Sequence, residues 1–213
     1  MKQKKPPMIA FEGIDGSGKS TQLSLLARRL EDEGIPFLLT REPTDGPAGL
    51  LLRQLLRGEF KTDERVAGPL FVADRLDHLL NPEYGLLAAL AAGTAVLTDR
   101  YYFSTFAYQS YHTPLPELVA ANAPCARLRR PDLTVFLDLT PEKAMERIRA
   151  GRGRTELFET LDRLRAVRKA YFDAFALLKN EEKVLVLDAD LPPEVLSEFL
   201  WMHLRPYFMF HKK

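Results

Sequence analysis

Residues Gly13 to Ser20 read Gly-Ile-Asp-Gly-Ser-Gly-Lys-Ser, the spacing GxxxxGK[ST] with which a chain wraps around a phosphate. The chemistry follows from the residue types. Gly13, Gly16 and Gly18 let backbone N–H groups approach an anion with no Cβ in the way. Lys19 adds a positive charge that reaches β- and γ-phosphates, and the Ser20 hydroxyl suits a magnesium ion. The whole run from Gly13 to Thr21, with Ile14, Asp15 and Ser17 inside it, is therefore a candidate phosphate cradle. An apolar run, Met8 to Gly13, precedes it and a helical pattern follows, which is the setting in which such a loop places the anion at a helix N-terminus.

A phosphate cradle alone does not separate switches, motors and kinases. The chain has no Asn-Lys-x-Asp run for guanine and no apolar strand ending in an Asp-Glu pair. Two apolar runs end in aspartate, at Asp99 and at Asp138. Asp99 is the better candidate to face the metal, because Arg100 beside it suits a second phosphate. Asp138, followed by Pro141, reads equally as the entry to a helix.

A phosphoryl acceptor needs its own pocket, and Phe71-Val-Ala-Asp-Arg75 offers the parts for a flat heterocycle. On a helix, Phe71 and Arg75 stand four apart and share a face. The ring can stack on a base while the guanidinium donates to a ring carbonyl. His78, later in the same segment, reads as a packed helix residue and not as a base.

Five short apolar runs must hold these residues in place: Met8 to Gly13, and others centred near 38, 97, 136 and 186. Continuous apolar character suits strands buried on both faces. Between them lie helical patterns. The first places Leu23, Leu26, Ala27 and Leu30 on one stripe with Gly34 as its stop, and the last runs from Pro192 with Leu196, Phe199, Leu200 and His203. Alternating strand and helix predicts a doubly wound α/β fold. The run Arg147 to Glu156, rich in glycine and arginine, reads as a mobile loop between helices.

Length and composition bound the rest. A chain of 213 residues, 46% hydrophobic and 28% charged, suits one well-buried domain. A formal net charge of +1 supplies no overall field for nucleic acid or an anionic membrane, so the expected partners are small molecules. No apolar run reaches the ~20 residues of a membrane span, and the basic residues 1–7, expected to be a disordered lead, are not followed by a signal-peptide stretch. The single cysteine, Cys125, reads as a small buried hydrophobe and fits a reducing compartment, so a cytoplasmic location is expected.

Six motifs in order resemble the thymidylate kinase family, which transfers the γ-phosphoryl of ATP to dTMP. They are FEGIDGSGKSTQ from Phe11, TREP from Thr40, FVADR from Phe71, DRYYFSTFAYQ from Asp99, RRPDLTVFLDLTPEKAMERI from Arg129, and LDAD from Leu187. The resemblance implies a P-loop kinase fold over residues 1–213, with a five-stranded parallel sheet flanked by helices and a mobile lid at about 147–158. It also implies ATP as donor, Mg²⁺ on Ser20 and Asp99, and a homodimer. Carried over position by position, Asp15 meets the deoxyribose 3′-hydroxyl, and Phe71 and Arg75 take the thymine. Arg100 and Arg41 hold the acceptor phosphate, Ser104 and Thr105 line the base edge, and Tyr108 blocks a ribose 2′-hydroxyl. Arg147 matches the position that packs on adenine.

The loop carries no arginine of its own, so the lid is expected to supply the transition-state cation from Arg149, Arg152 or Arg154, with Arg152 and Arg154 preferred. Three departures from the family wording stand out: Leu157 where lid-arginine members carry arginine, Thr44 where some place a phosphate-binding arginine, and the Thr44 to Gly49 stretch as a whole. The alternatives that the residues leave open are a P-loop kinase for another deoxynucleotide or a nucleoside, and a non-catalytic nucleotide-binding regulatory protein.

Overall fold

A computed structural model of the chain describes residues 5–151 and 160–209. Five parallel strands form one sheet: β1 (Met8–Glu12), β2 (Phe37–Arg41), β3 (Ala95–Asp99), β4 (Leu133–Asp138) and β5 (Val184–Asp188), in the order β2-β3-β1-β4-β5. All five apolar runs are strands. Around them lie α1 (Lys19–Asp32), α2 (Pro47–Leu56), α3 (Ala67–Leu80), α4 (Leu86–Ala91), α5 (Tyr102–Gln109), α6 (Leu115–Leu128), α7 (Pro141–Gly151), α8 (Leu161–Leu178) and α9 (Pro193–Phe208).

Strand position explains strand composition. β1, in the middle, is buried at every residue, whereas the edge strands β2 and β5 are only half-buried. The chain order reverses across β1, with β3 on one side and β4 on the other, and ligands of open α/β sheets bind outside the carboxyl ends of strands at such a point. Register brings the ends together: Phe11 and Arg41 both pair with Asp99, and Glu12 pairs with Phe136.

Helix α1 buries the expected stripe of Leu23, Leu26, Ala27 and Leu30. Its end is closed by Gly34 at φ 66°, with Ile35 N–H donating to Leu30 O at 2.9 Å. The stripe expected on α9 is corrected. The helix buries Leu196, Leu200, Trp201, Leu204 and Phe208, while Phe199 is 42% exposed and His203 is exposed. At ~100° per residue, Phe199 and His203 fall outside the buried stripe, whereas Trp201 packs against α1, with Arg29 lying over its ring. A second correction concerns Arg147 to Glu156. Helix α7 continues through Gly151, so the first part of that run is helical rather than loop, and residues 152–159 lie outside the described ones. Cys125 is fully buried, as expected of it.

The Thr44 to Gly49 stretch acquires a physical reason. Thr44 donates from its N–H (2.9 Å) and its hydroxyl (2.5 Å) to the buried carboxylate of Asp74 on α3, and its oxygen accepts from Gly46 N–H at 3.1 Å. Pro47 then opens α2, where a missing N–H costs nothing. Gly49 lies against Thr44 so closely that a Cβ there would stand 2.1 Å from the Thr44 carbonyl oxygen.

Candidate active site

The loop after β1 leads into α1 through Gly18, whose φ of 91° is a left-handed conformation that a side chain resists. No side chain caps α1, and its first turn carries no acidic residue. The first-turn N–H groups are thus left to an anion. Ser17 Oγ is buried with no hydrogen-bond partner among the described residues, a second donor without an acceptor. Lys19 is 7% exposed, and its ammonium rests on the carbonyl oxygens of Gly13 (3.1 Å) and Ile14 (3.3 Å). Burial, with Arg100 adding repulsion, pushes its pKa below the ordinary lysine value, while Asp99, Asp15 and Glu12 oppose the shift.

A cleft of about 750 Å³ opens over this loop. It brings together residues 15–21 with Arg41, Asp99, Arg100 and Arg147. Asp99 reaches Ser20, whose hydroxyl donates to Oδ2 at 3.3 Å, and the other carboxylate oxygen, Oδ1, is buried without a partner. Hydroxyl and orphaned carboxylate oxygen are both hard oxygen donors. That set fits Mg²⁺, which takes one or two protein ligands and completes its shell with water and phosphate. Among the described residues no cluster of three or more His, Cys, Asp or Glu is placed to hold a metal without such help. Asp138 stays out of the cleft, held by Arg168 through two bonds of 2.6 and 2.7 Å at the entry to α7.

Arg100 begins the turn from β3 into α5 and is the one non-glycine residue with positive φ, 71°, among the described residues. Such conformations persist where surroundings over-determine them. Its own N–H donates to Phe11 O at 2.8 Å, and its carbonyl accepts from Thr98 at 2.9 Å. Its guanidinium reaches Asp15 (2.5 Å), Ser104 Oγ (3.0 Å), Gly13 O (3.2 Å) and Tyr108 Oη (3.3 Å). Tyr108 also donates to Asp15 at 2.9 Å. Burial works against the Asp15 carboxylate, but Arg100, Lys19 and the Tyr108 hydroxyl together hold its pKa below the ordinary range.

Arg75 is placed differently from the other expected contacts. It is fully buried, and its donors go to Glu42 Oε2 (2.8 and 2.7 Å), Thr105 Oγ1 (3.2 Å from each Nη) and Asn122 Oδ1 (2.5 Å). Those five contacts match its five N–H groups, so a base carbonyl would have to take the place of Thr105 or Asn122. Phe71, one turn earlier on α3, is half-buried. His78 is buried between Thr40 (2.9 Å) and Glu42 (3.1 Å), as a packed residue should be. Arg41 is 65% exposed and lies 3.3 Å from Asp45. Arg147 faces Asp190 across 3.8 Å, joining α7 to the turn after β5, and Arg149 is exposed on α7. Arg152, Arg154 and Leu157 lie outside the described residues. Sequence reasoning missed Glu12, Glu42, Asn122 and Tyr171, all buried. Glu12 had a visible signal, a lone charge at the end of an otherwise apolar strand.

The family model for thymidylate kinase matches residues 11–200. The chain belongs to the thymidylate kinase family. A thymidylate kinase of Leptospira borgpetersenii is 37% identical over 97% of this chain and 98% of its own length. One from Akkermansia muciniphila is 38% identical over 92% and 89% respectively, and a probable thymidylate kinase of Archaeoglobus fulgidus is 37% identical over 90% and 91%. Such end-to-end similarity covers the cleft, α3 and the elements that frame them. The cleft within this family match is lined by both the loop and Arg100, with Asp15 of the loop bonded to the guanidinium.

Proposed function

We propose that the cleft performs the reaction of its family, ATP-dependent phosphorylation of dTMP to dTDP, and that each of its side chains takes a distinct part in it. The chain is a phosphotransferase with ATP as donor and dTMP as acceptor. The observation that carries the reading is the placement of two cations, Lys19 and Arg100, on one cleft with Asp15 beside them. Phosphoryl transfer through a loose transition state asks for alignment and neutralisation, and an acceptor phosphate is already ionised near neutral pH.

In this reading, the loop N–H groups and Lys19 hold the donor phosphates, and Arg147 packs on adenine. Ser20 and Asp99 would hold Mg²⁺, which would supply positive charge to the transferring phosphate. Arg100, with Arg41 at the rim, holds the acceptor phosphate, Asp15 meets the 3′-hydroxyl, and Tyr108 stands where a 2′-hydroxyl would be. Phe71 stacks on thymine, with Arg75, Ser104 and Thr105 at its edge. Arg152 and Arg154, just beyond the end of α7 in the sequence, complete the charge on the transferring group. The enzyme works as a homodimer in the cytoplasm, a setting consistent with one buried cysteine. Among the described residues no helix is long and apolar enough to cross a membrane.

ADP release coupled to a dehydrogenase tests the reading, with Mg²⁺, ATP and dTMP, dUMP, dCMP, dGMP or thymidine as acceptor. Turnover should be fastest with dTMP and absent with thymidine. Faster turnover of another acceptor would overturn it.

A further inference from the structure

The residues beneath Arg100 form a buried hydrogen-bond network centred on Glu12, which is fully buried at the end of β1. Four donors converge on its carboxylate. Oε1 accepts from the N–H groups of Tyr101 (2.9 Å) and Ser104 (3.2 Å) at the start of α5, and Oε2 accepts from the hydroxyls of Ser104 (2.6 Å) and Tyr171 (2.9 Å). Four is the capacity of an ionised carboxylate.

Proton counting then fixes the two hydroxyls. Each has one hydrogen, and Glu12 takes both. The Ser104 and Tyr171 oxygens lie 3.0 Å apart, and with both hydrogens directed at Glu12 Oε2 each turns lone pairs outward. Arg100 occupies that position: one Nη stands 3.0 Å from Ser104 Oγ and 3.4 Å from Tyr171 Oη. Helix α8 delivers Tyr171 rigidly, with its ring packed 4.9 Å from Phe136 and edge-on to Tyr108 at 6.4 Å. Among the described residues no acceptor meets the Arg100 Nε–H.

We propose that Tyr171 and Glu12 are positioning residues for Arg100: the carboxylate draws both hydroxyl protons inward, and the resulting lone pairs lock the guanidinium in the orientation that receives the acceptor phosphate. The inference rests on the acceptor-phosphate role of Arg100 in the proposed function. Neither residue lines the cleft, so the signature is selective. Losing the lock weakens recognition of the phosphate and leaves recognition of the nucleoside unchanged.

The test compares Tyr171→Phe and Glu12→Gln with the wild-type chain for KM of dTMP, KM of ATP and inhibition by thymidine, which has no phosphate. Tyr171→Phe removes only a hydroxyl and should raise the KM of dTMP about three- to tenfold, with thymidine inhibition and the KM of ATP unchanged. Glu12→Gln should do more, because its amide donates where a carboxylate accepts and one hydroxyl must turn its proton toward Arg100. Equal losses for dTMP and thymidine, or none for either, would overturn the proposal. Arg100→Ala separates the premise from the inference. If it leaves the dTMP-to-thymidine preference intact while the wild type turns over dTMP, both fall. If it abolishes the preference and neither Tyr171→Phe nor Glu12→Gln lowers it, the positioning role alone falls.

Discussion

Arg75 and Glu42 form an ion pair with 1% exposure of either side chain, Nε and Nη2 both reaching Oε2, at 2.8 and 2.7 Å. The pair ties α3 to the end of β2, and Glu42 Oε1 meets His78 on the same helix. Removing one partner of such a pair leaves a charge buried and uncompensated, which costs about 3–5 kcal/mol. Glu42→Gln should therefore lower unfolding free energy by about that amount in a urea titration. A loss below ~1 kcal/mol, the worth of a surface pair, would show that the pair contributes nothing of this kind.

Asp15 offers a pH test. Its folded pKa lies below the ordinary aspartate value, against the burial that would raise it, because Arg100, Lys19 and Tyr108 favour the ionised form. A depressed carboxylate stabilises the fold above its unfolded pKa, ~3.9, and that contribution disappears as pH falls through the lower folded value. The stability difference between wild type and Asp15→Asn should thus be largest near neutrality and shrink below pH ~4. A constant offset between pH 7 and pH 3 would contradict the assignment.

Gly49 separates helix propensity from packing by sign. Within α2, exchange of glycine for alanine should stabilise by ~1 kcal/mol on propensity alone. A Cβ 2.1 Å from the Thr44 carbonyl oxygen instead predicts a loss of about 1–3 kcal/mol, since backbone must move. Thermal unfolding of Gly49→Ala decides between them, and a raised Tm would rule out the close approach.

Asp99 provides the metal test. With Oδ1 buried and unpaired and Oδ2 on Ser20, Asp99→Asn should raise the Mg²⁺ concentration for half-maximal rate by about 10- to 100-fold. An unaltered Mg²⁺ titration would remove Asp99 from the metal site.

From the chain alone, the phosphate loop, the five strands and α1 with its Gly34 stop were legible, because each depends on chemistry within a few residues: apolar runs, a 3.6-residue stripe, glycine where a backbone must turn. The same local logic placed Asp99 and Arg100 at a strand end. It misjudged α9, where amphipathic spacing alone could not say which flank α1 would cover, and it read helical residues 147–151 as loop because their glycines and arginines look alike in either state. Tertiary packing alone decided the fate of the buried charges. Whether Arg75 points to a ligand or to Glu42, and whether Glu12 stands alone or collects four donors, depends on partners 33 to 159 residues away. A charge can be buried only where such distant groups replace its water, and sequence spacing does not carry that distance.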